Sequence, residues 1–187
     1  MSIKSSFTRS AKLLTQTRAL TMAAMLVALH VALSSVRVQI TPELRLSIGF
    51  ITQAAAGMLL GPVVAMLTGA AGDIISHLLF PTGAYFPGYT FTAVVGGLIY
   101  GALLFDRPRV GYLRALATKG AVSAVCNLFL NTLWISMTGG KAMMVLLPAR
   151  ALKNLGLLPI EALLLYMTAA ALTVVLKRAG VQRGVRE

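Results

Sequence analysis

Long apolar runs, parted by short connections that hold most of the charge, decide this chain's solvent before any other feature is considered. Six such segments follow one another, at Arg18–Val36, Leu46–Leu60, Pro62–Phe80, Tyr89–Phe105, Tyr112–Met137 and Met143–Leu176. A helix crosses the hydrocarbon core of a bilayer with about 20 mostly apolar residues, and with fewer where protein shields it. Inside lipid the backbone polar groups must be satisfied within the protein, which for segments of this length means helices. The fold expected is therefore an all-α integral membrane protein, a compact bundle of six transmembrane helices. The second segment is short, and Gly61–Pro62 marks a tight turn into the third. The sixth is long enough to tilt, with Pro148 and Pro159 as places to bend.

Composition supports this reading. Of 187 residues, 57% are hydrophobic and 12% charged, with a mean hydropathy of +0.81, whereas soluble domains carry about a quarter charged residues. The net charge of +12 could signal a nucleic-acid partner, but that function needs a solvated basic face. Here the cations gather between apolar runs, the pattern of loops facing an anionic leaflet, so membrane lipid is expected as a partner and nucleic acid is not. Lys4, Arg9, Lys12, Arg18, Arg107, Arg109, Arg114, Lys119, Lys177, Arg178, Arg183 and Arg186 fall on one side if the N-terminus is inside. Both termini are then cytoplasmic. The expected organisation is a basic interfacial segment at 1–17, a membrane domain at 18–177 and a basic tail at 178–187. The basic start resembles a signal peptide, but the further spans favour a retained segment on the cytoplasmic membrane surface. Cys126 is the one cysteine and sits in an apolar run, which rules out a disulfide framework within the chain.

Five cations remain on the outer side or within the outer half: Arg37, Arg45, Lys141, Arg150 and Lys153. Solvated loops account for the first three taken singly. Arg150 and Lys153 lie three apart on one helical face at membrane depth, where a cation is costly without a partner, and an anionic ligand entering from outside would explain all five. The connection from Phe80 to Tyr89 holds two further prolines and two glycines around Tyr85, Phe86 and Tyr89. Such a stiff aromatic loop suits a flat heterocycle, although an interfacial aromatic belt also collects these residues. Asn131 and Trp134 share a helical face, offering an amide and a stacking surface. Each also has a structural reading, Asn131 as a bond between helices and Trp134 as a belt anchor. Asp73 is the acid embedded in the third segment, and it either pairs with Arg37, Arg45 or Arg150 or accepts hydrogen bonds from a ligand. Glu161 is expected to pair with a base from the cytoplasmic side, and His30 and His77 to be satisfied helix residues.

Small residues recur at four-residue spacing in the first segment, as Ala19 and Ala23, then Ala24, Ala28 and Ala32. Faces of this kind let another helix approach closely, whether within the bundle or on a partner. No string of the form GxxxxGK[ST], no nucleophile elbow and no HExxH occurs, so no enzymatic activity and no cofactor of its own are expected. If ATP drives the function, a different chain hydrolyses it.

The strings Leu59-Leu-Gly-Pro62, Gly69-Ala-Ala-Gly-Asp73, Phe80-Pro-Thr-Gly83, Tyr85-Phe-Pro-Gly88 and Gly97-Leu-Ile-Tyr-Gly101 resemble those of S components of energy-coupling-factor (ECF) transporters. Leu130-Asn-Thr-Leu-Trp134, Leu147-Pro-Ala-Arg150 and Lys153-Asn154 resemble the folate-specific branch. The resemblance extends from about Leu20 to Leu176. It implies a six-helix, multi-pass protein of the bacterial cell membrane that binds folate or a reduced folate at its extracellular face. It also implies docking, through Ala24 and Ala28 with Ala23 and Ala32 nearby, on a membrane scaffold subunit joined to two ATPase subunits. The ligand would then be met by Tyr85, Phe86, Tyr89 and Trp134 as stacking surfaces and by Asn131, with Asp73 or Asn154, at the pterin edge. Arg37, Arg45, Arg150 and Lys153 would meet the glutamate. An S component for pantothenate, thiamine or a queuosine precursor, and an assembly protein without a ligand, are the competing readings.

Overall fold

The structure, a computed structural model, describes residues 3–35, 38–41, 44–46, 48–81, 85–105, 107, 110–139 and 143–178. Its helices are α1 (Ile3–Leu13), α2 (Thr17–Ser35), α3 (Phe50–Leu79), α4 (Pro87–Leu104), α5 (Tyr112–Val122), a π-helical stretch (Ser123–Leu130) continuing into α6 (Asn131–Gly139), and α7 (Met143–Arg178). Five stretches among the described residues are long and apolar enough to cross a membrane: Thr17–Ser35, Phe50–Leu79, Pro87–Leu104, Tyr112–Thr138 and Arg150–Val174. Pro148 and Pro159 both lie inside α7, which runs on as one helical element through them.

The purely helical expectation needs one correction. Val38–Thr41 (β1) and Leu44–Leu46 (β2) pair antiparallel, Val38 with Leu46 and Gln39 with Arg45. The second apolar segment therefore does not begin as a helix at Leu46, because that residue closes the hairpin and the helix starts at Phe50. Hydropathy cannot separate these cases, since a short apolar strand and a helix end score alike.

α3 is two arms rather than one rod. Gly61 has φ 81 and ψ −177, a left-handed value outside the helical region that glycine adopts without a Cβ clash. Thr52 and Gln53 line the same small cavity as Thr68 and Gly69. Sixteen residues along a straight helix would hold these pairs about 24 Å apart. The chain therefore reverses at Gly61, and residues 50–60 run antiparallel to 62–79, as the Gly-Pro joint led us to expect. α4 packs along this hairpin, with Gly97 against Ala65 and Gly101 against Pro62.

Two apolar cores hold the bundle. Ala54, Met58, Tyr100, Leu104, Ala115, Val122, Cys126, Leu165 and Ala169 join α3, α4, α5, the π-helical stretch and α7. Ala19, Ala23, Leu60 and Val64 join α2 to α3, with Leu13 and Leu14 of the N-terminal segment packed against them. At the end of the bundle marked by Gly61, the Ser10 side chain of α1 bonds the Leu60 carbonyl and the Val63 and Val64 N–H groups. The other end, where α3 finishes and α4 begins, carries the aromatic and polar side chains singled out by the sequence.

Candidate site at the aromatic end of the bundle

Pro87 opens α4, where its missing N–H costs nothing and its fixed φ suits the first turn. That start sets Phe86, Tyr89 and Thr90 around one helix end. Phe86 lies 6.0 Å edge-on from Tyr89 and 5.5 Å, tilted, from Trp134. Gly88 makes room for this: a Cβ there would stand 2.6 Å from Cδ2 of the Trp134 indole. The indole N–H donates to Thr92 Oγ1 at 3.0 Å, and Thr92 Oγ1 donates in turn to the Gly88 carbonyl at 3.0 Å. Trp134 is thus fixed in rotation by α4, and Phe86, Tyr89 and Trp134 form one preset aromatic wall.

Beside the wall is an acidic handle. Thr90 Oγ1 donates to Asp73 Oδ2 at 2.7 Å, so the Tyr85 hydroxyl, 2.8 Å away, donates to Thr90. The Tyr85 ring is exposed and sits 5.3 Å from the His77 ring, over a surface hollow of about 280 Å³ lined by Ile74, His77, Leu78 and Tyr85. The partner seen for Asp73 is a hydroxyl. Of the cations expected to pair with it, Arg37 lies outside the described residues and the Arg45 side chain outside those described, its backbone forming part of β2. Thr82, Gly83 and Ala84 of the aromatic loop and Lys141 also lie outside the described residues.

The third component is a polar seam where the fifth apolar stretch faces α7. Ser123 Oγ and Asn127 Nδ2 both donate to Asn154 Oδ1, at 3.1 and 3.3 Å, and Asn154 Nδ2 donates to the Arg150 carbonyl at 2.9 Å. Arg150 Nη1 donates to the Asn127 carbonyl at 3.4 Å. Asn131 lies one turn beyond Asn127 and Trp134 one turn beyond that, so the seam runs into the aromatic wall. Cys126 Sγ, on the neighbouring position, donates to the Thr92 carbonyl at 3.7 Å. Lys153 is half-buried on the same stretch of α7. Further down, Lys119 Nζ pairs with Glu161 Oε2 at 3.4 Å, so that acid has a basic partner as expected.

Tyr85, Phe86, Tyr89, Asn131, Trp134, Asp73, Arg150, Lys153 and Asn154 are therefore brought to one region. Sequence reasoning passed over Thr90, Thr92, Ser123 and Asn127. The last two were detectable: Ser123, Asn127 and Asn131 recur every four residues in an otherwise apolar span, a polar stripe on one face. His30 is satisfied as expected, Nδ1 lying 2.9 Å from Thr52 Oγ1 and 3.2 Å from the Gly49 carbonyl. The alanine set divides. Ala23 is buried against Leu60 and Val64, while Ala24, Ala28 and Ala32 are exposed. Among the described residues no three His, Cys, Asp or Glu side chains come together as a metal site would need.

Stacking surfaces, amide and hydroxyl groups that both donate and accept, one carboxylate and a guanidinium suit a flat, hydrogen-bonding, anionic molecule. Comparisons point the same way. The family described as "ECF transporter, substrate-specific component" matches residues 18–169. The chain is 40% identical over 126 residues to the folate transporter FolT of Clostridium novyi (strain NT), covering 67% of this chain and 73% of that one. It is 33% identical over 150 residues to the folate transporter FolT of Leuconostoc mesenteroides, covering 78% and 80%. A crystal structure of FolT bound with folic acid superposes with a TM-score of 0.76 at 28% identity, over 83% of this chain and 94% of that one.

Proposed function

This chain belongs to the substrate-specific components of ECF transporters, and on that premise we propose that it is the folate-binding S component of such a transporter. It is a multi-pass protein of the bacterial cell membrane and a transporter subunit, not an enzyme. The observation that carries the substrate is the likeness to folate transporters at 40% and 33% identity, in a chain 83% of whose length matches the fold of a FolT bound with folic acid.

Folate is captured at the aromatic end of the bundle and delivered inward with an ATP-driven module. The pterin stacks among Phe86, Tyr89, Trp134 and Tyr85, and Asn131 with Asp73 or Asn154 reads its edge. The glutamate carboxylates meet Arg150 and Lys153, with Arg37 and Arg45 contributed by the loop that contains the hairpin. Both arms of α3 traverse the membrane, giving six spans with N- and C-termini cytoplasmic; the reversal at Gly61 and the clustering of cations support this count. The exposed Ala24, Ala28 and Ala32 dock on the membrane scaffold subunit, whose two ATPase partners hydrolyse ATP, so this chain holds no cofactor of its own. Ala23 supports that face from within the bundle.

Trp134 is the one tryptophan, so its fluorescence reports on the aromatic wall. Detergent-purified protein titrated with folate, pantothenate, thiamine and queuine is expected to show saturable quenching by folate alone, weakened in Arg150→Ala. A response to one of the other compounds would move the substrate while keeping the transporter class. Silence to all four, repeated by calorimetry, would sink the vitamin reading.

A further inference from the structure

The fifth apolar stretch changes its helical register where it faces Arg150. Ser123–Leu130 winds as a π-helix, and the N–H of Asn131 reaches back five residues to the Cys126 carbonyl. Where a ladder returns from five-residue to four-residue spacing, the helical N–H groups skip one carbonyl. The carbonyl that takes side-chain donors here is that of Asn127: Arg150 Nη1 donates to it at 3.4 Å and Thr132 Oγ1 at 3.5 Å. Thr132 is fully buried, while Asn127 and Arg150 are half-buried.

The Asn127 side chain is tied at the same time. Its Nδ2 donates to Ser123 Oγ at 3.4 Å and to Asn154 Oδ1 at 3.3 Å, and Ser123 Oγ donates to the same Asn154 oxygen at 3.1 Å. Asn154 Nδ2 closes the circuit on the Arg150 carbonyl at 2.9 Å. Arg150 is thereby gripped twice, at its backbone by Asn154 and at its guanidinium by the Asn127 carbonyl. A guanidinium carries five N–H donors in a fixed plane, so a grip on one of them sets the direction of the rest.

Bonding between helices in lipid is the simpler account of such a network. It explains neither the π-helical turn, which is uncommon outside functional sites, nor why the loosened carbonyl meets the charged residue. We propose that the π-helical turn and the Ser123–Asn127–Asn154 network are a positioning device for Arg150, aiming its guanidinium at a carboxylate of the ligand's glutamate. Ser123, Asn127 and Asn154 are positioning residues, which moves Asn154 from the pterin edge to this role. The inference rests on the folate reading and deepens it: affinity for the glutamate end is built into the wall of the bundle.

Pteroate, which is folate without its glutamate, separates the two ends. Asn127→Ala keeps the carbonyl but unties the turn from Ser123 and Asn154, and calorimetry on purified protein is expected to show it and Ser123→Ala each weakening folate about tenfold and pteroate less than about twofold. Arg150→Ala should weaken folate at least as much, and Asn127→Ala added to it should change nothing further, because a positioning residue acts through the group it positions. Deleting the exposed Val125 restores ordinary helical spacing and should reproduce the Arg150→Ala pattern. Should that deletion fail to fold, the Asn127–Arg150 cycle decides alone. Equal losses for folate and pteroate, additive losses in the cycle, or unchanged folate affinity would each overturn the positioning role. Failure of the unaltered chain to bind folate would overturn the folate reading as well, which keeps the two failures distinct.

Discussion

Lys119 is 3% exposed in the interior of a membrane bundle, and its ammonium is compensated from two directions. Glu161 Oε2 lies 3.4 Å away, and the Phe50 ring lies under the same nitrogen at 3.6 Å from its centroid. Breaking a buried pair leaves an uncompensated charge and costs about 3–5 kcal/mol, whereas replacing both partners with apolar groups of similar size is often neutral. Glu161→Gln should therefore lower the thermal unfolding midpoint in detergent by several degrees, and Lys119→Met with Glu161→Leu should restore most of it. A double variant as unstable as the single one would deny the pair its compensating role. This contact was legible in the sequence because α7 has a lone acid embedded in it and such a charge needs a basic partner within the bundle. The partner of Asp73 was not. Thr90 is one of several hydroxyls at the start of α4, and a neutral donor leaves no charge signal from which to infer contact. Asn127 stood in a detectable polar stripe, but its bond to Arg150 was not legible, since that depends on a carbonyl whose availability only the helical register decides.

Among the elements, the reversal of α3 depends on one residue, Gly61. A Cβ on Gly61 would stand 2.8 Å from Ser10 Cβ, at a φ of 81 that side chains resist. Ser10 is fully buried there; its Oγ donates to the Leu60 carbonyl at 2.7 Å and accepts from Val63 and Val64 N–H at 3.0 and 3.3 Å. A side chain from α1 thus caps the N-terminus of the second arm, a task ordinarily done by the residue just before a helix. Ser10→Ala should cost about 1–2 kcal/mol and Gly61→Ala about 1–3 kcal/mol. Both would appear as lower unfolding midpoints in detergent, with faster proteolysis if the arms part. Gly61–Pro62 announced this turn because glycine and proline are the strongest local punctuation a sequence has. The clamp was hidden: the N-terminal stretch reads as a basic segment at the membrane surface, and nothing local marks one serine as the cap of a helix fifty residues on. The β1–β2 hairpin was hidden by its leucines, which lengthened an apolar run without revealing that they pair across strands.

At the scale of the whole molecule, α2 divides its alanines between two duties. Ala19 and Ala23 face inward onto Leu60 and Val64, while Ala24, Ala28 and Ala32 look outward beside Met25, which is 67% exposed, and Leu29, which is 50% exposed. The small-residue spacing was plain in the sequence, but which stripe faced the core was not, because both stripes have the same period and the same residue. A wide side chain on the outward stripe meets no part of the bundle, whereas on the inward stripe it must displace packed neighbours, a change that commonly costs a few kcal/mol. Ala28→Trp should therefore leave folate affinity of the isolated chain within about twofold, measured by calorimetry since it adds a second fluorophore. The same substitution should abolish folate uptake in cells that supply the ECF module, along with co-purification of the scaffold subunit. Ala23→Trp should instead lower the unfolding midpoint of the isolated chain itself. Uptake that survives Ala28→Trp would place the docking face elsewhere on the bundle. Loss of binding in the isolated variant would mean that α2 shapes the folate site as well as the interface, so that capture and handover could not be assigned to opposite sides of one helix.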